Sequence, residues 1–404
     1  MKHIYLINNV SQASLYGIGA YIRQIKGILK ECFEKVTILT LNSQGEEIKI
    51  EETGGIRCIE IPSGMLWAGE KTKTRYYKYL SFLLSLYIDK AEVNIFQFNY
   101  LHQKPLAGFL RDQYPGCCIV VVVHYFTWLM ELKGNMNKLR IMQRKLEVER
   151  TTAERGMLST ISEDQEFLKE ADKVICLAEY TRRLLKEEMG IPPDKIHLIP
   201  NGLGNPTRCL TKSECRKKKK KLYFQDSDKI ILFTGRLDVL KGVPELIEAF
   251  KIVLKQIPEA KLVVVGNGDY DICFQKAEKI WSRVTFTGRI SQEILYDLYQ
   301  IADIGVLPSL NEQCSYVAIE MMMCGLPFIG TTTTGLKEML DNRQDWLVSL
   351  KENDCDVILP VKELARKMID LLLEAQRKMD YEVYEKRYSL ECMKENMFRF
   401  YHAI

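Results

Sequence analysis

The stretch Ile230-Ile231-Leu232-Phe233-Thr234-Gly235-Arg236-Leu237-Asp238-Val239-Leu240-Lys241-Gly242 decides the fold. It opens as a short, continuous apolar run, breaks at a glycine, and passes through a polar loop into a helical pattern. A strand without polar alternation is buried on both faces, and strands of that kind joined by helices make parallel sheets. The same rhythm returns downstream at Leu262–Val265, Val284–Phe286, Ile304–Leu307, Pro327–Ile329 and Trp346–Ser349. Upstream it runs through Ile4–Val10, Val36–Leu41, Ile56–Ile61, Val93–Phe98, Cys118–His124, Lys173–Leu177 and Ile196–Pro200. Helical stretches such as Ala20–Lys30, Arg75–Asp89 and Tyr180–Met189 lie between them. The fold class that follows is α/β, with two doubly wound, Rossmann-like parallel sheets. The first domain is expected over residues 1–203, rejoined by a C-terminal helix within 386–404, and the second over 204–385.

Between the two sheets lies a basic seam. From Gly204 to Leu222 there are eight basic residues and one acidic residue, Glu214. A solvated linker and surface helix is the plain reading; an anion or membrane-surface patch is the sharper one.

Composition narrows the function. With 404 residues, 47% hydrophobic and 27% charged, the chain is an ordinary globular protein. A formal net charge of +4 is too small for a nucleic-acid packer, and no nucleic-acid partner is expected. The 12 cysteines contain no Cys-x-x-Cys pair, so they read as reduced thiols and not as a zinc or redox site. The longest apolar runs, Tyr79–Ile88 and Ile119–Met130, fall short of the ~20 residues a membrane span needs. A cytoplasmic protein is expected, with a peripheral contact at the inner face of the membrane left open.

In open α/β sheets ligands bind beyond the carboxyl ends of the strands. After the first strand, Gly17-Ile18-Gly19 enters a helix, where a backbone can approach an anion. A three-glycine dinucleotide turn would need glycine at 22, and that residue is Ile22. His124 ends the run Val120–Val123 and reads either as a structural imidazole or as a donor to a substrate hydroxyl. Arg236 and Lys241, five apart on one Gly-flanked loop, suit a diphosphate, the first as a planar fork and the second as a mobile point charge. Glu312 and Glu320 lie eight apart, with Ser315 a natural N-cap between them and Gly325 a natural residue past the helix end. A carboxylate near a helix start, beside free amides, suits ribose hydroxyls and phosphate oxygens.

Taken together, these residues resemble a GT-B-fold glycosyltransferase of family 4, a large retaining family that uses nucleotide sugars. Further matching stretches are Ile199-Pro200-Asn201-Gly202, Val265-Gly266-Asn267-Gly268, Phe286-Thr287-Gly288-Arg289, Leu307-Pro308-Ser309, Gly325-Leu326-Pro327 and Thr334-Gly335. The resemblance implies two domains facing a cleft. It implies that Arg236 and Lys241 hold the donor diphosphate, Glu320 the ribose, and Glu312 the reacting face of the donor sugar. His124 would touch the sugar, the loop at Gly288-Arg289-Ile290 the base, and Gly17, Gly19, Gly235, Gly266, Ser315 and Tyr316 the donor through close backbone. Many members carry glycines where this chain has Gln313-Cys314-Ser315, a departure at positions that meet phosphate and sugar mainly by backbone.

The implied activity moves a sugar from a nucleoside diphosphate, UDP- or GDP-linked, to a hydroxyl acceptor in surface-glycan or glycoconjugate assembly. No cofactor is expected beyond the donor substrate, and no metal, because Arg236, Lys241 and helix amides can stabilise the leaving diphosphate. The acceptor is a lipid-linked glycan, a saccharide or a peptide. Lys71–Tyr79, basic and aromatic ahead of Leu80–Ile88, reads as an ordinary half-buried helix or as a lipid contact. The competing readings are a GT-B sugar-nucleotide epimerase or sugar-phosphate synthase, and a non-catalytic binding subunit. A nicotinamide oxidoreductase fails for want of its glycine turn.

Overall fold

A computed structural model describes the chain except for residues 12–15, 63–69, 207–208, 355, 375–378 and 380, and the side chains of 70–73. The chain divides into two compact units. The first comprises Met1–Trp128, Val148–Asn201 and Met393–Ile404, and the second Leu129–Glu147 and Gly202–Cys392.

The first unit is built on strands β1 (Lys2–Asn9), β2 (Lys35–Ser43), β3 (Lys49–Thr53), β4 (Ile56–Pro62), β5 (Val93–Phe98), β6 (Cys118–Val123), β7 (Lys173–Cys176) and β8 (Ile196–Leu198). They form one sheet in the order β3-β4-β2-β1-β5-β6-β7-β8, parallel except where β3 runs against β4. The near-continuous valines of β6 are buried from Ile119 to Val123, as a strand covered on both faces requires. β3 is absent from the sequence reading. All five of its residues are exposed, so it has no apolar signature, and its charges suit an edge. The C-terminal helix Leu390–His402 belongs largely to this unit. Tyr401 donates to Gln97 Oε1 of β5, and Lys394 pairs with Glu31 at 2.9 Å.

The second unit carries β9 (Lys229–Thr234), β10 (Ala260–Val265), β11 (Val284–Gly288), β12 (Ile304–Val306), β13 (Phe328–Thr331) and β14 (Leu347–Val348). The order is β11-β10-β9-β12-β13-β14, all parallel. Both sheets are doubly wound, and the fold is the two-domain α/β architecture of the GT-B class. Residues 129–147, placed with the first domain by the sequence reading, group instead with the second unit. Asn135 Nδ2 donates to Asn353 O at 2.7 Å, Lys133 pairs with Asp356 at 2.8 Å, and Asn311 Nδ2 reaches Leu129 O at 3.2 Å.

The basic seam is a helix, Lys212–Lys221, opened by a reciprocal cap in which Thr211 Oγ1 accepts from Glu214 N and Glu214 returns to the Thr211 N–H. Lys218 pairs with Asp297 at 2.6 Å, so part of the lysine run is neutralised within the unit. Every described cysteine is a free thiol. Among the described residues, no helix is long and apolar enough to cross a membrane.

Candidate functional site

In the second sheet the strand order reverses between β9 and β12, and that switch point is where such folds bind ligands. The loop after β9 is stitched to its neighbours by backbone. Gly235 N donates to Val265 O at 3.0 Å, Leu237 N to Asn267 O at 3.0 Å, and Asp269 N to Leu237 O at 2.7 Å. A Cβ on Gly266 (φ +136°) would stand 1.8 Å from Gly235 O, and one on Gly268 (φ +156°) 2.3 Å from Leu237 O. Only glycine lets these turns lie so close.

Within that loop Asp238 organises both cations. Its Oδ2 meets Arg236 Nη2 at 3.0 Å, and its Oδ1 accepts from Lys241 N at 3.1 Å. Gly242, at φ +63°, then starts the helix Val243–Val253; a Cβ there would stand 2.3 Å from Pro308 O. Leu310 N donates to Leu240 O at 2.8 Å, so the loops after β9 and β12 are joined across the switch point. Lys241 Nζ donates to Glu312 Oε2. The Glu312 backbone is held in turn from the start of the helix Thr334–Met339, where Gly335 N donates to its carbonyl at 2.8 Å and Thr334 Oγ1 does the same. Arg236, Lys241 and Glu312 thus form one linked set, with Asp238 as its hub.

Beyond Glu312 the chain enters the helix Tyr316–Met323, N-capped by Ser315, whose Oγ accepts from Ala318 N at 3.4 Å. Gly325 takes φ +69° just after the C-cap Cys324, two residues past Met323, as expected from the sequence. Glu320 points to Tyr299 of the helix Gln292–Ile301, whose hydroxyl donates to Oε2 at 2.7 Å. Burial pushes the Glu320 carboxyl up to about 7, against the opposing pull of the Tyr299 hydrogen bond. Arg289 follows edge strand β11, two strands from β9, and is exposed.

In the first unit, Gly17, Gly19 and His124 lie beyond strand carboxyl ends. Gly17 and Gly19 lie in the first turn of the helix Gly17–Cys32; Ser14 and Leu15 ahead of them lie outside the described residues. His124 follows β6 and donates Nε2–H to Asn99 Oδ1 at 3.1 Å, while Asn99 Nδ2 donates to Ile7 O at 3.1 Å. That second bond fixes the Asn99 amide, so its oxygen faces the imidazole and the proton sits on Nε2. Tyr21 packs T-shaped against the ring at 4.7 Å between centroids, and burial pushes the imidazole down to about 3. His124 is therefore neutral, with Nδ1 as its lone pair.

Asp238, Tyr299 and Asn99 carry this organisation and were not singled out in the sequence. The chain also contains three Asp-x-Asp triplets, at 226–228, 269–271 and 354–356, which the expectation of metal independence overlooks. Asp228 Oδ2 accepts from Gln225 N at 2.8 Å ahead of β9, Asp269 Oδ1 caps Asp271 N at 3.1 Å, and Asp356 pairs with Lys133.

Two family models match the chain in succession. One describes glycosyltransferase family 4 and covers residues 17–203; the other describes glycosyl transferases group 1 and covers residues 215–387. Between them they take in most of the sequence, and the chain belongs to this group 1, family 4 glycosyltransferase family. It is similar, at 32% identity over 41% of its length and 38% of the relative's, to a mannosylfructose-phosphate synthase of Agrobacterium fabrum. It is also similar, at 31% over 42% of its length and 46% of the relative's, to a GDP-mannose-dependent monoacylated phosphatidylinositol monomannoside mannosyltransferase of Corynebacterium glutamicum. These matches span less than half the length of either relative. In structure it is similar to the sucrose-phosphate synthase of Thermosynechococcus elongatus, with a TM-score of 0.77 and 19% identity over 100% of this chain and 99% of that one. At that identity the likeness speaks for the fold.

Proposed function

We propose that the chain transfers a sugar, with retention of anomeric configuration, from a nucleoside diphosphate sugar to a hydroxyl acceptor in glycan or glycoconjugate assembly. The observation that carries this reading is the Arg236–Asp238–Lys241–Glu312 set at the switch point of the second sheet. Two cations on a glycine-stitched loop, beside the capped start of a helix, are what a departing diphosphate needs. Arg236 and Lys241 would neutralise the charge that grows on the leaving phosphate. Glu320, one turn along the same helix, would accept from ribose hydroxyls. Glu312, held by its backbone from the start of the helix Thr334–Met339, would stand at the reacting carbon.

Retention follows if the acceptor hydroxyl attacks from the face the diphosphate leaves. An oxocarbenium-like state then forms, and the departing phosphate oxygen takes the acceptor proton. That route asks for electrostatic stabilisation and positioning, and assigns no nucleophile to the protein. On the first unit, His124, buried and neutral, would hydrogen-bond a hydroxyl without bringing a charge. Both relatives named above are synthases or transferases by name, which supports transfer over epimerisation.

The test is release of nucleoside diphosphate from a panel of UDP- and GDP-sugars, with the anomeric proton of the product read by NMR. Turnover with an α-donor giving an α-product is expected. A β-product, or exchange of the donor sugar's configuration without transfer, overturns the reading.

A further inference from the structure

The helix Glu70–Leu84 is held in the first unit by one face. Tyr77, Leu80, Ser81, Leu84 and Ile88 are buried, and Gln113 Nε2 donates to Ser81 Oγ at 3.4 Å from the helix Lys104–Gln113. Tyr76 donates its hydroxyl to Asn42 Oδ1 at 3.2 Å, fixing the helix rotation near the end of β2. Helical bonding continues past Leu84, with Ser85 N to Ser81 O at 3.2 Å and Leu86 N to Leu83 O at 3.1 Å. The helix therefore cannot turn its other face inward.

That other face is unlike a solvated one. Tyr79 is 68% exposed, Phe82 68% and Leu86 66%, and Arg75 and Lys78 are exposed beside them. At 3.6 residues per turn these five fall within an arc about 100° wide. Singly exposed apolar residues are ordinary, but three in one stripe with cations along it are not. From Thr74 to Leu86 no exposed position is acidic.

We infer that the Arg75–Lys78–Tyr79–Phe82–Leu86 face docks on an anionic lipid bilayer, with Tyr79, Phe82 and Leu86 at the headgroup–acyl boundary and both cations against the headgroups. Charge selects the occupant. A second copy of this chain across a two-fold axis would set Arg75 and Lys78 against themselves. A soluble anion would satisfy the cations and leave the stripe in water. An anionic bilayer matches both features at once. The sequence reading of this segment took Lys71–Tyr79 as basic and aromatic ahead of the apolar Leu80–Ile88. The Lys73 side chain lies outside the described residues, and the apolar half of the face becomes visible only once the helix rotation is fixed.

The inference stands apart from sugar transfer and is tested without donor or acceptor. Full-length protein is sedimented with phosphatidylcholine vesicles and with mixed phosphatidylcholine–phosphatidylglycerol vesicles, at low and high salt. Binding to the mixed vesicles alone is expected, and it should weaken with salt because exposed charges are screened over ~8 Å at physiological ionic strength. The variants Tyr79→Ser/Phe82→Ser/Leu86→Ser and Arg75→Glu/Lys78→Glu should each lower vesicle affinity by about tenfold or more. Both alter only exposed side chains and should keep the wild-type circular dichroism and melting temperature. Bromolipid quenching of a Phe82→Trp variant beyond the wild-type level should report insertion of the stripe. Wild-type vesicle affinity in both multiple variants overturns the inference, as does equal binding to neutral vesicles. A change in oligomeric state without a change in vesicle binding also overturns it, in favour of a contact between copies.

Discussion

Lys241 Nζ donates to Glu312 Oε2, tying the loop after β9 to the loop after β12 across the switch point of the second sheet. Both side chains are mostly covered, at 20% and 15% exposure. In the proposed reaction a diphosphate competes with Glu312 for this ammonium. Lys241→Ala should therefore weaken binding of UDP or GDP by about tenfold or more, because charge-assisted bonds to phosphate are lost. Glu312→Gln should bind the nucleotide at least as well as wild type, since Lys241 is released, yet transfer about a hundredfold more slowly. Calorimetry and a nucleotide-release assay separate the two. Equal loss of nucleotide affinity in both variants would remove Glu312 from its place at the sugar.

Glu320 gives a pH dependence with a definite sign. Its carboxyl is raised from 4.5 to about 7 by burial. The folded chain therefore holds a proton there between these two values that the unfolded chain has lost. Stability falls as pH rises through that window, and Glu320→Gln should abolish this part of the slope. Nucleotide affinity should run the other way. The ionised carboxylate is the better acceptor for ribose hydroxyls, so affinity should increase from pH 6 to pH 8 in the wild type and stay flat in the glutamine variant. Thermal melts and calorimetric titrations at matched ionic strength read both.

Gly335 supplies the steric prediction. A Cβ there would stand 1.3 Å from Gln313 O, and its own N–H donates to Glu312 O at 2.8 Å. Gly335→Ala has to push the 312–315 loop away from the helix Thr334–Met339, at a cost of about 3 kcal/mol. The melting temperature should drop by several degrees. Activity should fall further than stability explains, because the displaced backbone carries Glu312.

Much of this arrangement was legible in the sequence. Ile230–Thr234 and Cys118–Val123 are apolar throughout, so their burial on both faces could be read directly. Arg236, Lys241 and Glu312 could be singled out because they lie in loops that follow such runs, and Glu320 because it lies in the helix opened after Glu312. Asp238 could not, because a lone aspartate in a loop gives no sign that it holds the Arg236 guanidinium and the Lys241 backbone together. Tyr299 reads as a core aromatic, and its hydroxyl meets Glu320 only through tertiary packing 21 residues away. Asn99 is the same case, joining Ile7 and His124 across two neighbouring strands. β3 went unseen because an exposed edge strand needs no apolar residues. The run Tyr79–Ile88 concealed two faces, since apolar residues on both sides of a helix blur its period.

The Asn99–His124 bond predicts a tautomer. With Asn99 Nδ2 bound to Ile7 O, His124 should be Nε2-protonated and neutral from pH 5 to pH 8. Nitrogen NMR of the imidazole reads this directly. Asn99→Asp places a carboxylate against the ring, which should raise the His124 pKa and add an acid limb to the rate profile. An unchanged His124 spectrum in that variant would show that Asn99 does not set the tautomer.

Metal independence is the last expectation, and the Asp-x-Asp triplets make it a sharper question than charge alone would. Asp228 lies ahead of β9, away from the strand carboxyl ends, and is engaged with Gln225 N. Asp356 is taken up by Lys133. The Asp269–Asp271 pair alone follows the carboxyl end of a central strand, β10, and there Asp269 serves as the N-cap of the helix Tyr270–Ala277. Asp269 Oδ1 is engaged in that cap, and Arg236 and Lys241 already supply positive charge at the neighbouring loop. Transfer should therefore persist in EDTA and gain little from magnesium or manganese, and Asp271→Asn should leave the rate nearly unchanged. Loss of turnover in EDTA with recovery on adding manganese, abolished by Asp271→Asn, would place an ion at that pair and reassign the neutralisation of the leaving group to it.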